Sequence, residues 1–480
     1  MRAWIKDHGS PAFFARVVMA IACATVVCLI VFVFDGYGGD NLVAHEGYHV
    51  ESPFRGETLV VSRVTPLSEF TGLRESMSPA SIETMAMMYM RRNPGVTIEI
   101  VAPFEFLEGT GLEFFQYRED IVLQLMSGTA PTLFEATALP WFDPRVNQYL
   151  ADWYPLMQQD SYFNEYDFYT NVFTAISSNA QGRLVVYPYS FDSTMVMANT
   201  AISGIIDAVG LYDSLSLSEM HRLYHLYAVD IAIALYPMHS TLDAVMFSLG
   251  DFIDFGSGAI DFINHDFIQL ITPSRYLAEY GSGVGAAPRW GLPEEESGLS
   301  INYLFNMAST LVFRHILGLD PVLFGNPLPK VNNDGEMLIT PDFMFGLCAN
   351  ASPVQLSLAY DFIMFMQQYC DPLLPPSVPV YRPMLREYVE YRMWGALLRS
   401  FQHGWGGYAG GFEGACDTVI SVLDGWFFNM PMAPLFVTSP IGNQMDSIIA
   451  EVILDFDNHI ITGLQAAEYL QNRVSLHLKD

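Results

Sequence analysis

The sequence predicts an α/β protein of two lobes joined by a hinge, set behind an N-terminal transmembrane or signal segment. Three observations predict it. Strand-like and helix-like patterns alternate between residues 57 and 136, an order that builds a parallel sheet flanked by helices. At 480 residues, with 51% hydrophobic and 15% charged side chains, the chain is too long for one core and apolar enough for two. Residues 183–199, RLVVYPYSFDSTMVMAN, read as a buried strand, a Tyr187-Pro188-Tyr189 break and a second apolar run. A chain that leaves one packed unit through such a break and enters another is a hinge candidate. A hinge between lobes is a device for closing on a ligand.

The elements follow in order. Arg2, Lys6 and Arg16 precede an apolar run from Val17 to Phe34, and Asp35 and Asp40 follow it. As a helix this run spans about 27 Å, against a hydrocarbon core of about 30 Å. Bases before and acids after orient the remainder outward. An uncleaved anchor, a lipoprotein signal and a cleaved signal peptide compete. No convincing small-x-small cleavage site follows Phe34. Ala20-Ile21-Ala22-Cys23 is a poor version of the lipoprotein pattern. Each reading puts the body outside the membrane, with residues 35–56 as a Gly-rich linker. Glu57–Val64 is the first strand, a continuous apolar run. Ser78–Arg92 is a helix, stopped by Asn93-Pro94-Gly95. Val96–Ala102 alternates as a second strand, Tyr117–Met126 is helical, Ser127–Pro131 turns, and Thr132–Ala136 is a third strand.

Charge narrows the partners. The formal charge is −30, with 52 acids against 22 bases and lysine only at Lys6, Lys330 and Lys479. Nucleic acid is therefore not an expected partner, because phosphate binding needs clustered bases. Of five cysteines, Cys23 and Cys28 lie in the apolar run. Cys348, Cys370 and Cys416 allow at most one disulfide, and buried thiols are the plainer reading. No Cys/His cluster with zinc spacing occurs, and no phosphate-cradling, dinucleotide or nucleophile-elbow motif. No cofactor and no metal site is expected. Gly281–Ala287 and Glu294-Glu295-Glu296 read as loops. Asn332–Gly335 reads as a hairpin turn, and His221 and His225 as one face of a surface helix.

Several segments, in order, resemble those of extracellular solute-binding protein family 1, the sugar-binding components of ABC importers. They are MYMRRNPGVTIEIV (88–101), LMSGTAPTLFEAT (125–137), SGAIDFINHDFIQLI (257–271), GLCANASPVQLSLAYDFIMFM (346–366), PPSVPVYRPMLREY (375–388) and the closing GLQAAEYLQNRVSLHLKD (463–480). Residues 183–199 resemble the family's lobe-crossing segment. Thr132 stands where the family usually has Asp, and Tyr381-Arg382 where it has Asn-Lys. The resemblance implies a periplasmic-binding-protein-like fold of type II. Lobe 1 would hold residues 57–188 and return at 340–372. Lobe 2 would hold 189–339 and continue at 373–480. It implies capture of a small solute, a carbohydrate or oligosaccharide, and delivery to ABC permease subunits. The protein would not be an enzyme, and would sit on the extracellular face of the membrane, held there by its N-terminal segment. A cell-surface glycoside hydrolase and a membrane-tethered sensor are the alternatives.

Aromatic residues make up 14% of the chain. Sugar rings stack on aromatic planes, and their hydroxyls need Asp, Asn, Glu or Arg, so such pockets combine apolar walls with a few polar groups. The ligand-binding candidates are Trp141 after the third strand, Tyr189 and Asp192 at the hinge, and Trp290 and Trp405 in Gly-rich loops. Glu69, after the first strand, is the sixth. Trp153, Trp394 and Trp426 lie in apolar-periodic runs and are expected in the core.

Overall fold

Strand β1 (Thr58–Ser62) buries Leu59 and Val61 completely and lies between two parallel neighbours. These are β2 (Thr97–Val101), with Leu59 opposite Ile98, and β3 (Leu133–Glu135), with Val61 opposite Leu133. In the computed structural model the described residues are 52–63, 82–101, 112–137, 139–178, 180–198, 214–216, 241–254, 257–272, 299–303, 328–331, 335–369, 377–391, 412–434 and 442–479. Helix α1 (Ile82–Arg92) leads into β2. Its buried Ile82, Met85, Ala86 and Tyr89 fall on one stripe at helical spacing. Arg91 and Arg92 in the last turn suit the negative end of the helix dipole. The expected stop is present: Gly95 takes φ +92, its carbonyl accepts from the Gly56 N–H at 2.7 Å, and a Cβ there would lie 2.8 Å from Arg55 Cγ. Helix α2 (Leu112–Ser127) buries Tyr117, Ile121 and Leu125 and leads through the turn at Gly128 into β3. The strand–helix–strand–helix–strand order is therefore as the sequence predicts, with somewhat shorter strands.

Helix α3 (Thr170–Ser178) precedes β4 (Val186–Ala198). Here the structure corrects the sequence reading, because Tyr187-Pro188-Tyr189 is not a break. Pro188 lies inside one continuous strand of 13 residues, and neighbouring ladder geometry explains why. Its partner across the ladder is Met344. Met344 gives its N–H to Thr137 Oγ1 at 3.1 Å and its carbonyl to the Ala136 N–H at 2.7 Å. Met344 thus faces away from β4, and the pair needs no N–H from Pro188.

Strands β5 (Leu215–Ser216), β8 (Leu299–Tyr303), β9 (Leu328–Val331), β10 (Met337–Leu347), β11 (Val378–Pro379) and β12 (Met432–Pro434) join the same sheet. A separate two-stranded hairpin is formed by β6 (Ile253–Asp254) and β7 (Ala259–Ile260). Among the described residues the large sheet has ten strands, ordered β11-β4-β9-β10-β3-β1-β2. Strand β12 flanks β10, β8 flanks β4, β5 flanks β9, and β4 also pairs with β10. The pair β10–β3 is antiparallel. At Gly346 a Cβ would fall 2.4 Å from Phe134 Cε2, so only glycine leaves room for that ring.

Helix α4 (Pro353–Tyr369) covers β1 and α1. Ser352 and Gln355 cap it reciprocally. Its Ala359, Tyr360, Phe362 and Phe365 are buried, and Tyr89 meets Phe362 and Phe365 edge-on. Helix α5 (Phe412–Asn429) and β12 pack against α3. Helices α6 (Gly442–Asp457) and α7 (Gly463–Lys479) pack together and against residues 241–272. There Phe252, Phe262 and Phe267 form an aromatic cluster. Gln471 of α7 accepts from the Phe262 N–H and donates to the Ile260 carbonyl, each at 2.8 Å.

The described residues from Pro53 onward belong to one compact unit. The apolar run Val17–Phe34 lies outside the described residues. Among the described residues no helix is long and apolar enough to cross a membrane.

Candidate functional site

Strands β4 and β10 pass between two groups of elements. The first half of β4, Val186–Asp192, pairs with Thr340–Gly346 of β10. Its second half, Thr194–Ala198, pairs with β8, and Met195 and Val196 also with β9. Strand β10 begins beside β12 and ends beside β3. Both strands change partners at about the same level, next to Asp192 and Thr340.

Tyr189 sits just short of that level. It is 1% exposed, and its hydroxyl donates to the Met366 carbonyl at 3.0 Å. Its own carbonyl accepts from the Val380 N–H and from Gln367 Nε2, each at 3.2 Å. Across from it Phe343 takes φ +49. The rings meet at 5.7 Å and 84°, and Phe343 also meets Phe345 at 5.1 Å.

Asp192 is half-buried and accepts from Ser377 Oγ at 3.3 Å. Its neighbour Phe191 meets Phe427 at 4.9 Å and Tyr169 at 5.9 Å. The Tyr169 hydroxyl donates to Asp424 at 3.0 Å. Arg382 grips the same carboxylate with two bonds, 2.6 Å from Nε and 2.5 Å from Nη2, and its guanidinium lies 4.5 Å from the Phe428 ring centre. Burial, then the Asp424 charge and hydrogen bond, push the Tyr169 hydroxyl well above the usual phenol range. The bond to Asp424 raises Arg382. Asn171 Nδ2 donates to the Phe427 and Met430 carbonyls at 2.6 Å each. The chain from β11 to Arg382 and helix α5 are thus clasped to residues 168–173.

Of the six ligand candidates, three are described. Trp141 is 2% exposed and meets Phe142 at 5.5 Å, so it lies inside the packing next to the sheet. Tyr189 is enclosed, and Asp192 is partly open. Trp290, Trp405 and Glu69 lie outside the described residues, as do Trp394 and Cys370. Trp153 is fully buried and Trp426 half-buried. Cys348 and Cys416 are buried free thiols.

Sequence reasoning missed several polar groups. Glu135 ends β3 with 3% exposure, and the Tyr117 hydroxyl reaches its carbonyl at 3.1 Å and the Ser62 carbonyl at 3.4 Å. An acid ending an apolar parallel strand was the available signal. Gln367 is 1% exposed on α4, and the Gln367-Gln368 pair that follows the apolar run LAYDFIMFM was the available signal for an interior polar group. Nothing in the sequence joined Arg382 to Asp424, which are 42 residues apart.

No protein-family model matches the chain, and no curated protein matches it. Solved structures do. The sugar-binding protein MalE from Xanthomonas citri aligns at 11% identity with a TM-score of 0.53, over 88% of this chain and 97% of that one. An extracellular solute-binding protein of family 1 from Alicyclobacillus acidocaldarius aligns at 12% identity and 0.50, over 88% and 98%. A sugar transporter protein from Rhizobium etli, solved in an open conformation, aligns at 11% and 0.50, over 87% and 98%. The chain has the two-lobe, periplasmic-binding-protein-like α/β fold of these solute-binding proteins.

Proposed function

We propose that the protein captures a carbohydrate or oligosaccharide between two lobes and delivers it to the membrane subunits of an ABC importer. The observation that carries this reading is the near full-length likeness of its fold to the sugar-binding MalE of Xanthomonas citri. The crossing fits the same role. Lobe 1 is proposed as residues 57–188 with 340–372, and lobe 2 as 189–339 with 373–480. What supports this division is that paired strands β4 and β10 each carry residues of both proposed lobes.

The mechanism is a shift in population. A ligand that touches both lobes only when they close stabilises the closed form by its differential affinity. No covalent step is needed, and the protein is proposed not to be an enzyme. Trp290, Trp405, Glu69 and Asp192 are the proposed ligand contacts, with Trp141 and Tyr189 supporting the walls from beneath. The site of action is the extracellular face of the membrane, where the N-terminal segment holds the body by a helix or a lipid.

The test is a thermal-shift screen of the full chain against sugars, oligosaccharides, peptides and amino acids. A ligand at about 100 times its Kd adds about 2.7 kcal/mol of stability. A sugar hit recovered intact after incubation supports the proposal. A hit confined to peptides or amino acids overturns the ligand class, and a sugar recovered cleaved overturns the non-enzymatic reading.

A further inference from the structure

The loop of residues 160–168, which precedes α3, turns two aromatic rings outward. Tyr162 is 92% exposed and Tyr166 64% exposed. Leaving two rings of this size in water forgoes the stabilisation that burial gives. The loop is braced from within and from beneath. Asp160 accepts from the Tyr162 N–H at 2.8 Å through Oδ1, and from the Tyr360 hydroxyl of α4 at 3.0 Å through Oδ2. Asn164 accepts from the Tyr166 N–H at 3.3 Å through Oδ1, and its carbonyl from the Asp167 N–H at 3.0 Å. Phe163 stacks on the buried Phe168 at 5.0 Å and 21°, and Phe168 bridges to Tyr381. The rings stand on a fixed backbone, so covering them costs little ordering of the chain.

Charge decides what can cover them. In the same loop Glu165 is exposed and Asp167 half-buried. No Lys, Arg or His occurs between Arg145 and Arg183. Asp167 acts on Arg382, but that guanidinium is already forked onto Asp424. An anionic lipid surface or a nucleic acid would meet like charge here, and so would a second copy of this chain, with its 52 acids against 22 bases. A guanidinium is drawn by the carboxylates and by the negative faces of the rings together. Tyrosine and arginine are also enriched where protein interfaces carry most of their energy.

We propose that the loop carrying Tyr162 and Tyr166 is a docking surface for a basic, arginine-bearing segment of a partner protein. The ring faces take guanidinium groups, and Glu165 and Asp167 supply the opposing charge. Docking of this kind needs no bound solute, and its test is independent of solute capture.

The test is fluorescence anisotropy of labelled hexa-arginine, hexalysine and hexaglutamate peptides with the full chain at about 0.15 M salt. Three variants are compared with the wild type. Tyr162→Ser with Tyr166→Ser removes the rings at constant charge. Glu165→Gln with Asp167→Asn removes two charges from the loop. Glu119→Gln with Asp120→Asn removes two exposed charges on α2. Hexa-arginine should bind the wild type more tightly than hexalysine, and hexaglutamate should not bind. The ring variant should lose about five-fold in affinity for hexa-arginine. The loop-charge variant should lose at least as much, and the α2 variant less than about two-fold. With both rings in water, their removal should leave the melting temperature within about 2 °C of the wild type. Equal binding of hexa-arginine by the ring variant and the wild type, or no binding by either, overturns the docking surface. An α2 variant that loses as much as the loop-charge variant also overturns it, because the attraction is then diffuse. Self-association of the wild type that the ring variant lacks makes the occupant a second copy and overturns the basic partner.

Discussion

Gln367 donates from Nε2 to the Tyr189 carbonyl at 3.2 Å, and both side chains are 1% exposed. With Tyr189 Oη on the Met366 carbonyl at 3.0 Å, helix α4 holds the crossing strand through side chain and backbone at once. Gln367→Leu should cost about 1–2 kcal/mol, since a buried carbonyl loses one of its two donors. Tyr189→Phe should cost about 1 kcal/mol for the orphaned Met366 carbonyl. Urea unfolding should show lower midpoints at unchanged slope. Full stability in both variants would remove this contact as a structural tie.

Gly346 faces the Phe134 ring so closely that a Cβ would lie 2.4 Å from Cε2. Gly346→Ala should destabilise by about 1–3 kcal/mol through overpacking. Phe134→Leu should make the same substitution milder. A double-mutant cycle on the two sites measures the coupling, and additive effects would show that the ring escapes without strain.

Arg382 and Asp424 form a forked pair whose side chains are 34% and 26% exposed. Solvent screening limits its value, so Arg382→Ala should cost about 1 kcal/mol, including the lost contact with Phe428. Added salt should shrink the difference between the variant and the wild type. Asp424→Ala should cost more, because it strips the acceptor from the Tyr169 hydroxyl as well. Equal melting of the two variants at low salt would contradict this order.

Burial raises the hydroxyls of Tyr89, Tyr117, Tyr169, Tyr187 and Tyr360 far above the usual phenol range. It also pushes the Cys416 thiol from 9.0 up to about 11. These groups keep their protons longer in the folded state than in the unfolded state. Their effect on stability is therefore constant below about pH 9, and stability falls as pH rises through 9 to 11 and beyond. Tyrosine absorbance should titrate in two stages, the later one coinciding with loss of the far-ultraviolet dichroism signal. Cys416 should resist iodoacetamide at pH 8 until the protein unfolds. A single smooth phenol titration without unfolding would contradict the assignment.

Periodicity was sufficient where one local rule acted alone. The helical spacing of Met85, Met88 and Tyr89 specified α1, the Asn93-Pro94-Gly95 stop ended it, and the apolar β1, β2 and β3 assembled as a parallel set. Pro188 was misread because proline is disruptive only where the ladder needs its N–H. That depends on Met344, 156 positions away in the chain. Trp141 was singled out by its place after a strand, but whether such a ring faces a cleft or its neighbours depends on packing with Phe142.

The sequence by itself determined the net charge and the apolar faces of helices and strands. Those properties follow from residue type and spacing within one element. Only the tertiary structure decided that the Tyr189 carbonyl accepts from Gln367 and Val380, and that Arg382 closes on Asp424 beside Tyr169. These depend on which donors and acceptors distant segments bring within about 3 Å of each other, and no local pattern specifies that.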